Sequence, residues 1–234
     1  MRMFPFLLAL GCAQPKEKVK MRGQILDGKD QLVGAPDVAI EVRDGRTKRY
    51  SSATSDADGM FTAEVPANSV VHLILDGGAY VPTAFSAIVG SDDVTIPVGD
   101  LWMRTPGDID ALRDTFENCP TVDEPGGIVE GEVNYNVINA HSEQRLIAED
   151  AVVTVYDKNG NTSTTCYLDN DGESSTDVAV VGASGRFAAF GLQSGPTTIG
   201  FEVPIEGIDT ENFAFVWLPE EGVGPFYPAL IEFP

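Results

Sequence analysis

Apolar and polar residues alternate along several short segments of the first hundred residues. In the segment 37–43, Val38, Ile40 and Val42 fall on one face. A period of two predicts a half-buried β-strand. The segment 70–75 is apolar on both faces apart from one histidine, which predicts a strand at the centre of a sheet.

A tight turn at residues 54–61 (Thr-Ser-Asp-Ala-Asp-Gly-Met-Phe) leads into another predicted strand. Gly59 supplies a positive φ angle, and Phe61 is the first inward side chain of the strand that follows. The same arrangement recurs 126 residues further on, at Gly185 and Phe187. The turn is therefore a repeated feature of the chain.

The segments around the two turns follow each other in the same order. Residues 131–133 resemble 23–25, residues 150–155 resemble 37–42, and residues 192–201 resemble the turn and strand after residue 65. We therefore predict one β-module used twice, as residues 20–104 and 128–234. The insertions fall in loops, the largest of them between Cys166 and Val181.

One short helix is predicted between the modules. Thr105 is its N-cap, Pro106 occupies the first position and Asp108 complements the helix dipole. Three apolar residues then recur at helical spacing: Ile109, Leu112 and Phe116. We expect the helix to end near Asn118, and residues 105–127 to form the helix and linker.

The chain is strongly acidic, with a net charge of −21 over its 234 residues. Residues 1–120 carry a net −5, and residues 121–234 carry a net −16. Such a surface repels phosphate, so nucleic acid and direct adsorption to anionic lipid are excluded as partners. Solubility explains the acidity, with cation binding as the alternative.

The N-terminus consists of a short basic start, an apolar run and then Gly11 and Cys12. The apolar run, residues 3–10, is too short to span a bilayer, which needs about 20 residues. It resembles a bacterial lipoprotein signal peptide (residues 1–11), which implies that Cys12 is lipidated and that residues 12–19 form a tether. The alternative is an ordinary signal peptide cut nearby. Either implies export, and lipidation implies the cell envelope, at the outer membrane or cell surface.

The order of strands and turns resembles that of the carboxypeptidase regulatory-like family. The shared features are a first strand containing glycine, an Ala-x-Val-x-Val strand and a Thr-Asp-x-x-Gly-x-Phe turn. The resemblance covers residues 20–80 and 128–203. It implies an all-β fold of two tandem prealbumin-like β-sandwiches, and it concerns fold without chemistry. In that family the domain is an appendage or surface module.

Catalytic and metal-binding motifs are absent from the sequence. The two histidines are His72, inside an apolar strand and expected to be packed, and His141, in a predicted loop. The best calcium candidate is the acidic stretch Asp169, Asp171, Glu173 and Asp177, because carboxylate oxygens suit Ca²⁺. Its spacing does not match an EF-hand, and a solvated hairpin tip is the preferred interpretation. We expect no cofactor.

Two tryptophans could stack on sugars or fill a core. Trp217 is expected to lie on the same face of a strand as Phe213 and Phe215, because the three alternate with other residues. We therefore expect all three to line a core. Trp102, between two apolar neighbours, has the same ambiguity. An exposed aromatic pair on one face would favour carbohydrate binding, and burial of both tryptophans would oppose it.

With Cys12 assigned to lipid, Cys119 and Cys166 remain. An oxidising compartment favours their pairing, so we predict a disulfide that fixes the linker and helix against the second module. The predicted function is a non-catalytic cell-envelope lipoprotein, acting as a structural or protein-interaction module. It would contact the membrane through its lipid anchor and bind an envelope protein or glycan. The alternative is a carbohydrate-binding surface protein with starch-binding-like sandwiches.

Overall fold

The described residues form β-strands and one α-helix, which confirms the predicted all-β class. We call residues 17–104 the first half and residues 127–233 the second half. The computed structural model describes residues 17–28, 33–44, 48–139, 142–147, 151–169, 173–175, 185–205, 208–226 and 232–233.

The first half contributes nine strands: β1 (Lys18–Gln24), β2 (Leu26–Asp27), β3 (Ala39–Asp44), β4 (Arg49–Thr54), β5 (Met60–Pro66), β6 (Ser69–Asp76), β7 (Thr83–Val89), β8 (Val94–Thr95) and β9 (Trp102–Met103). The helix α1 (Pro106–Thr115) follows. The second half contributes β10 (Gly127–Glu132), β11 (Asn134–Asn139), β12 (Ser142–Ile147), β13 (Val152–Tyr156), β14 (Thr162–Ser163), β15 (Cys166–Leu168), β16 (Ser174–Ser175), β17 (Arg186–Leu192), β18 (Gly195–Ile205), β19 (Ile208–Leu218), β20 (Val223–Phe226) and β21 (Glu232–Phe233).

One nine-stranded sheet runs through both halves in the order β16-β15-β17-β10-β20-β7-β6-β3-β4. The halves meet where β20 pairs in parallel with β7, with Val223 opposite Thr83. The amide of Val223 donates to the carbonyl of Pro82 at 2.8 Å. The smaller sheets are β5-β1-β8, β2-β9, β14-β13-β18-β19 and β12-β11-β21.

The same strand pairings occur in both halves. β1 pairs antiparallel with β5 and parallel with β8, just as β10 pairs antiparallel with β17 and parallel with β20. β6 lies between β3 and β7, and β18 lies between β13 and β19. Gly23 is opposite Phe61 in the first half, and Gly131 is opposite Phe187 in the second. The segments that repeat in the sequence thus form equivalent strand pairs in the two halves.

The repeated turn has the predicted geometry. Gly59 has a φ of 75° and Gly185 has a φ of 68°, a region that glycine enters without steric cost. A Cβ atom on Gly59 would lie 2.3 Å from the carbonyl oxygen of Ile25, so a larger residue is also excluded by contact. The Asp56 carboxylate accepts from the amides of Asp58 and Met60 and thereby stabilises the turn.

The buried apolar residues form three clusters. The first lies within residues 19–103 and contains the predicted inward residues of β3 and β5. The second lies within residues 129–218, between the nine-stranded sheet and the sheet containing β13 and β18. Tyr167 links these two sheets, because its hydroxyl donates to the carbonyl of Val153 at 2.7 Å. Each half therefore has a core of its own.

The third cluster lies where α1 packs on the second half, and the predicted helix is confirmed. Thr105 and Asp108 form a reciprocal capping box at its N-terminus. Leu112 and Phe116 are buried, and Phe116 meets Phe190 of β17 edge to face at 6.0 Å. The helix ends at Thr115, and turns continue after it. Among the residues that the structure describes, no helix is long and apolar enough to cross a membrane.

The predicted boundary of the tether differs from the structure. β1 begins at Lys18 and Val19 is buried, so the tether predicted for residues 12–19 ends earlier. Between β6 and β7, Val81 makes only an isolated bridge to Arg104. Residues 162–168 contribute two short strands, β14 and β15, to different sheets.

Candidate interaction surface between the two halves

The edge strand β19 of the second half lies against the outer face of β7 from the first half. The Ser86 hydroxyl donates to the carbonyl of Phe215 at 2.9 Å. After β19 the chain turns back, and Val223 bonds to Pro82 at the start of β7. The end of β19 therefore lies near the start of β7, and the preceding residues, towards Phe213, extend along β7 in the direction of Ile88.

A buried histidine extends this contact into the first half. His72 of β6 lies opposite Ser86 of β7, and its Nδ1 is 2.8 Å from the Ser86 oxygen. A carbonyl can only accept, so the single Ser86 hydroxyl proton is directed to Phe215 and His72 must donate from Nδ1. Burial lowers the pKa of His72 from its ordinary value of 6.5, while the nearby Asp44 carboxylate opposes this shift.

The arrangement of His72 and Ser86 is structural. A serine nucleophile needs a histidine that accepts its proton, whereas here the histidine donates to the serine. The expectation of a packed His72 is confirmed by its burial. It lies on the outer face of its sheet, however, under the edge of β19. His141 lies outside the described residues.

The outward side chains of β19 correct the sequence-based assignment. Phe213, Phe215 and Trp217 were expected to line the core, but Phe213 and Phe215 are exposed and Trp217 is half-buried. Val216 and Leu218 point inward instead. Trp217 contacts the first half, with the Arg43 guanidinium 4.7 Å from its ring centroid.

Four exposed apolar side chains, which we call the end patch, lie beside this contact. They are Val70, Ile88, Phe213 and Phe215, with exposed fractions of 41%, 85%, 53% and 58%. Val70 and Ile88 are cross-strand partners on β6 and β7. The bond from Ser86 to Phe215 and the return of the chain to Pro82 bring the two phenylalanines towards them. Apolar clusters of this kind mark surfaces that contact another molecule.

A buried ion pair joins the two halves. Arg104, which bridges to Val81, is paired with Glu130 of β10. The Arg104 and Glu130 side chains are only 16% and 5% exposed. The Arg104 guanidinium also lies 4.6 Å from the ring centroid of Trp102, which is buried. Trp102 is therefore not a sugar-stacking platform.

The predicted disulfide between Cys119 and Cys166 is confirmed, with Cα atoms 5.8 Å apart. Cys119 follows α1, and Cys166 begins β15 on the same face of the second half. The Arg113 guanidinium of α1 also bonds to the carbonyl of Val122. The helix and linker are thus fastened covalently to the nine-stranded sheet.

The calcium candidate is only partly described. Asp169 follows β15 and Glu173 precedes β16, and the amide of Glu173 donates to the Asp169 carboxylate at 2.9 Å. Asp171 and Asp177 lie outside the described residues. Within the part of the chain that the structure describes, no group of three or more His, Cys, Asp or Glu residues is arranged to hold a metal. Cys12 also lies outside the described residues, so its lipidation stays a prediction.

A shallow depression of about 300 Å³ lies beside the repeated turn of the first half. Arg22 and Asp56 are its charged lining residues. The Asp56 carboxylate is already bonded to two turn amides, so it is committed to the fold. The depression therefore offers no free acid or base, and the end patch is the stronger candidate surface.

No protein-family model matches the chain, and no curated protein sequence matches it. Among solved structures, the chain is similar to the Bacillus anthracis TIE protein, at 12% identity and a TM-score of 0.32, over 90% of this chain and 33% of that one. It therefore spans a third of the length of that protein.

Two further similarities cover nearly whole chains. GBS52, the minor pilin of the gram-positive pathogen Streptococcus agalactiae, matches at 13% identity and a TM-score of 0.29, over 91% of this chain and 94% of that one. A candidate carbohydrate-binding protein of Bacteroides uniformis matches at 12% identity and a TM-score of 0.28, over 86% and 98%. All three TM-scores lie below 0.5, so we draw no functional conclusion from them.

Proposed function

We propose that this protein is a non-catalytic, lipid-anchored module of the bacterial cell envelope with a structural or protein-interaction role. Its architecture would be two tandem prealbumin-like β-sandwiches. The observation that carries the proposal is the junction between the halves, where sheet pairing, a buried ion pair and the contact of β19 with β7 act together. A module that transmits force or presents surfaces at a fixed angle needs such a junction.

The chemistry of the described residues supports the same role. In the pair of Ser86 and His72, the serine hydroxyl donates its proton to the carbonyl of Phe215 and not to the histidine. Ser86 is therefore not arranged as a nucleophile. The most buried ion pair among the described residues, Arg104 with Glu130, lies within the junction, where it cannot reach a substrate. These polar groups are used to join strands, which suits a scaffold.

The anchor is tested by expressing the full chain in a bacterium fed an alkyne-tagged fatty acid. We expect the protein to carry the tag and to enter the detergent phase of a phase-separating detergent. The Cys12→Ser variant should be untagged and released. A variant that stays membrane-bound with unchanged mass would remove the anchor from the proposal.

The rigid junction is tested with one spin label in each half, at exposed Met60 and Glu220. We expect a single narrow distance distribution between the labels. A broad distribution would mean that the halves move independently, which contradicts a fixed-angle module. Labels at Met60 and Glu64 of β5 provide the within-half reference for the width of a rigid pair.

Carbohydrate binding remains a second candidate because Phe213 and Phe215 form an exposed aromatic pair. Aromatic faces stack on sugar rings, and both rings project from the same face of β19. Affinity electrophoresis in gels that contain soluble polysaccharides tests this role. Retardation that is lost in the Phe213→Ala/Phe215→Ala double variant and kept in Val98→Ala, an exposed residue elsewhere, would favour it.

A further inference from the structure

The N-terminal segment enters the first half at one identifiable end. The amide of Ala67 donates to the carbonyl of Glu17 at 2.8 Å, and Lys18 lies opposite Pro66. Residue 17 is therefore beside the turn between β5 and β6. The amide of Asn68 in this turn donates to the carbonyl of Gly90, just after β7.

The same end carries the end patch. The last pair of β6 and β7 at this end is Ser69 with Val89, and the next pair is Val70 with Ile88. Because β19 runs back along β7 from Pro82, its residue Phe213 lies towards Ile88 and the chain entry. Both halves thus contribute apolar side chains to the end from which the N-terminal segment leaves.

The length of that segment limits what can lie opposite the patch. Cys12 precedes Glu17 by five residues, a reach of at most about 18 Å for an extended chain. If Cys12 carries acyl chains, the lipid surface must lie within that distance of the chain entry. This step rests on the proposed lipid anchor.

The charges near the chain entry select the kind of lipid. Lys18 is paired with Glu64 at 2.7 Å, and Asp93 accepts from the backbone amide of Lys20 at 2.8 Å. These charges have both signs and largely compensate each other, while the whole chain has a net charge of −21. An anionic bilayer would therefore repel the protein, and a zwitterionic one would not.

We propose that the end patch rests in the interfacial layer of a zwitterionic membrane, next to the anchor. Val70, Ile88, Phe213 and Phe215 bury their apolar surface among the lipid headgroups, as apolar faces do in interfacial binding. The patch adds an orientation to the anchor. The protein stands with the entry end of its first half down and the opposite end away from the membrane.

The experiment uses the mature chain from Cys12 onward, coupled to vesicles of phosphatidylcholine that contain a maleimide lipid. Cys12 is the thiol available for coupling, because Cys119 and Cys166 are joined. Ile88→Trp reports on the patch, through quenching by brominated phosphatidylcholine. Val98→Trp is the matched control, since Val98 is 65% exposed and follows β8, which runs parallel to β1 away from the entry end.

We expect quenching at position 88 to exceed quenching at position 98 by at least about twofold, as interfacial burial of one end requires. The Phe213→Ser/Phe215→Ser double change should reduce quenching at position 88. Equal quenching at both positions, or none at either, overturns the proposal. Circular dichroism checks each fold, and Phe215→Trp serves as a second probe if Ile88→Trp does not fold.

Two other occupants give distinct results that also overturn the proposal. A second copy is indicated if the uncoupled chain sediments as a dimer that Ile88→Glu converts to a monomer. A glycan is indicated if soluble polysaccharide shifts the emission of the position 88 tryptophan while brominated lipid does not quench it. The vesicle experiment attaches Cys12 chemically and does not depend on acylation in cells. Quenching at position 88 on these vesicles, combined with an unacylated Cys12 in cells, would therefore reject the lipid anchor and not the membrane contact of the end patch.

Discussion

His72 donates a hydrogen bond from Nδ1 to Ser86, and the distance between these two atoms is 2.8 Å. Ser86 in turn donates to the carbonyl of Phe215. Because a carbonyl oxygen can only accept, it fixes the direction of both hydrogen bonds. A core strand of the first half is thereby connected to the edge strand of the second half. Because its neutral form is favoured by burial, His72 makes this connection sensitive to pH.

We predict that the stability of the protein falls as the pH drops below 6.5 and that His72 is one cause. The lowered pKa of His72 means that the unfolded chain binds a proton more readily than the folded chain. The stability due to neutral His72 is therefore complete above the unfolded pKa and is lost as the pH falls through the folded value. Urea midpoints measured between pH 8 and pH 5 should fall less steeply for His72→Asn.

Asparagine is the suitable replacement because its Nδ2 can occupy the place of the histidine Nδ1 without titrating. The charged groups next to His72 are Arg43, opposite it on β3, and Asp44, and both are kept in the variant. The many carboxylates that protonate at lower pH act equally on both proteins. Identical pH slopes for the two proteins would contradict the assignment to His72.

Reduction of the disulfide should cost about 4 kcal/mol of unfolding free energy, by the chain-entropy estimate for its sequence separation of 47 residues. The Cys119→Ala/Cys166→Ala protein should show a similar loss and should not respond to reductant. Urea unfolding with and without dithiothreitol measures both effects. A wild-type protein whose urea midpoint is unchanged by full reduction would show that the bridge adds no stability.

The cap of α1 offers a prediction with an internal control. Thr105→Ala removes the side chain that accepts from the Asp108 amide and should cost about 1 kcal/mol. Thr115→Ala, at the other end of the same helix, removes only a bond to the carbonyl of Ala111 and should be near neutral. Equal losses in thermal unfolding would mean that the capping box does not stabilise the helix.

The elements that could be predicted from sequence are those with a local cause. Val38, Ile40 and Val42 are buried because their period of two fits a one-sided strand, and α1 begins where Thr105 can cap it. The disulfide could be proposed because Cys12 had another expected role, which left two cysteines. In each case the signal lies within a few residues or in a simple count.

The orientation of β19 could not be read in this way. Both of its faces are apolar: Phe213 and Phe215 lie on one face, and Val216 and Leu218 lie on the other. Tertiary packing makes the choice: a Cβ atom on Gly127 would lie 2.4 Å from a Leu218 methyl carbon, so the leucine fills the space that this glycine leaves. The phenylalanines therefore face outward. The alternation of residues along the strand could not predict this, so it could not predict the end patch.

The ion pair between Arg104 and Glu130 is likewise invisible in sequence, because 26 residues separate its partners. We predict that Glu130→Gln costs about 3–5 kcal/mol, since it leaves the buried Arg104 guanidinium without a counter-charge. Replacing both residues, as Arg104→Met with Glu130→Leu, should cost much less, because no charge then stays buried. Urea unfolding of Arg104→Met, of Glu130→Leu and of the double variant forms the cycle that measures their coupling. The exposed pair of Lys18 and Glu64 provides the control, because Glu64→Gln removes a similar contact that water already screens. A Glu130→Gln protein as stable as Glu64→Gln would show that the junction between the halves does not depend on this ion pair.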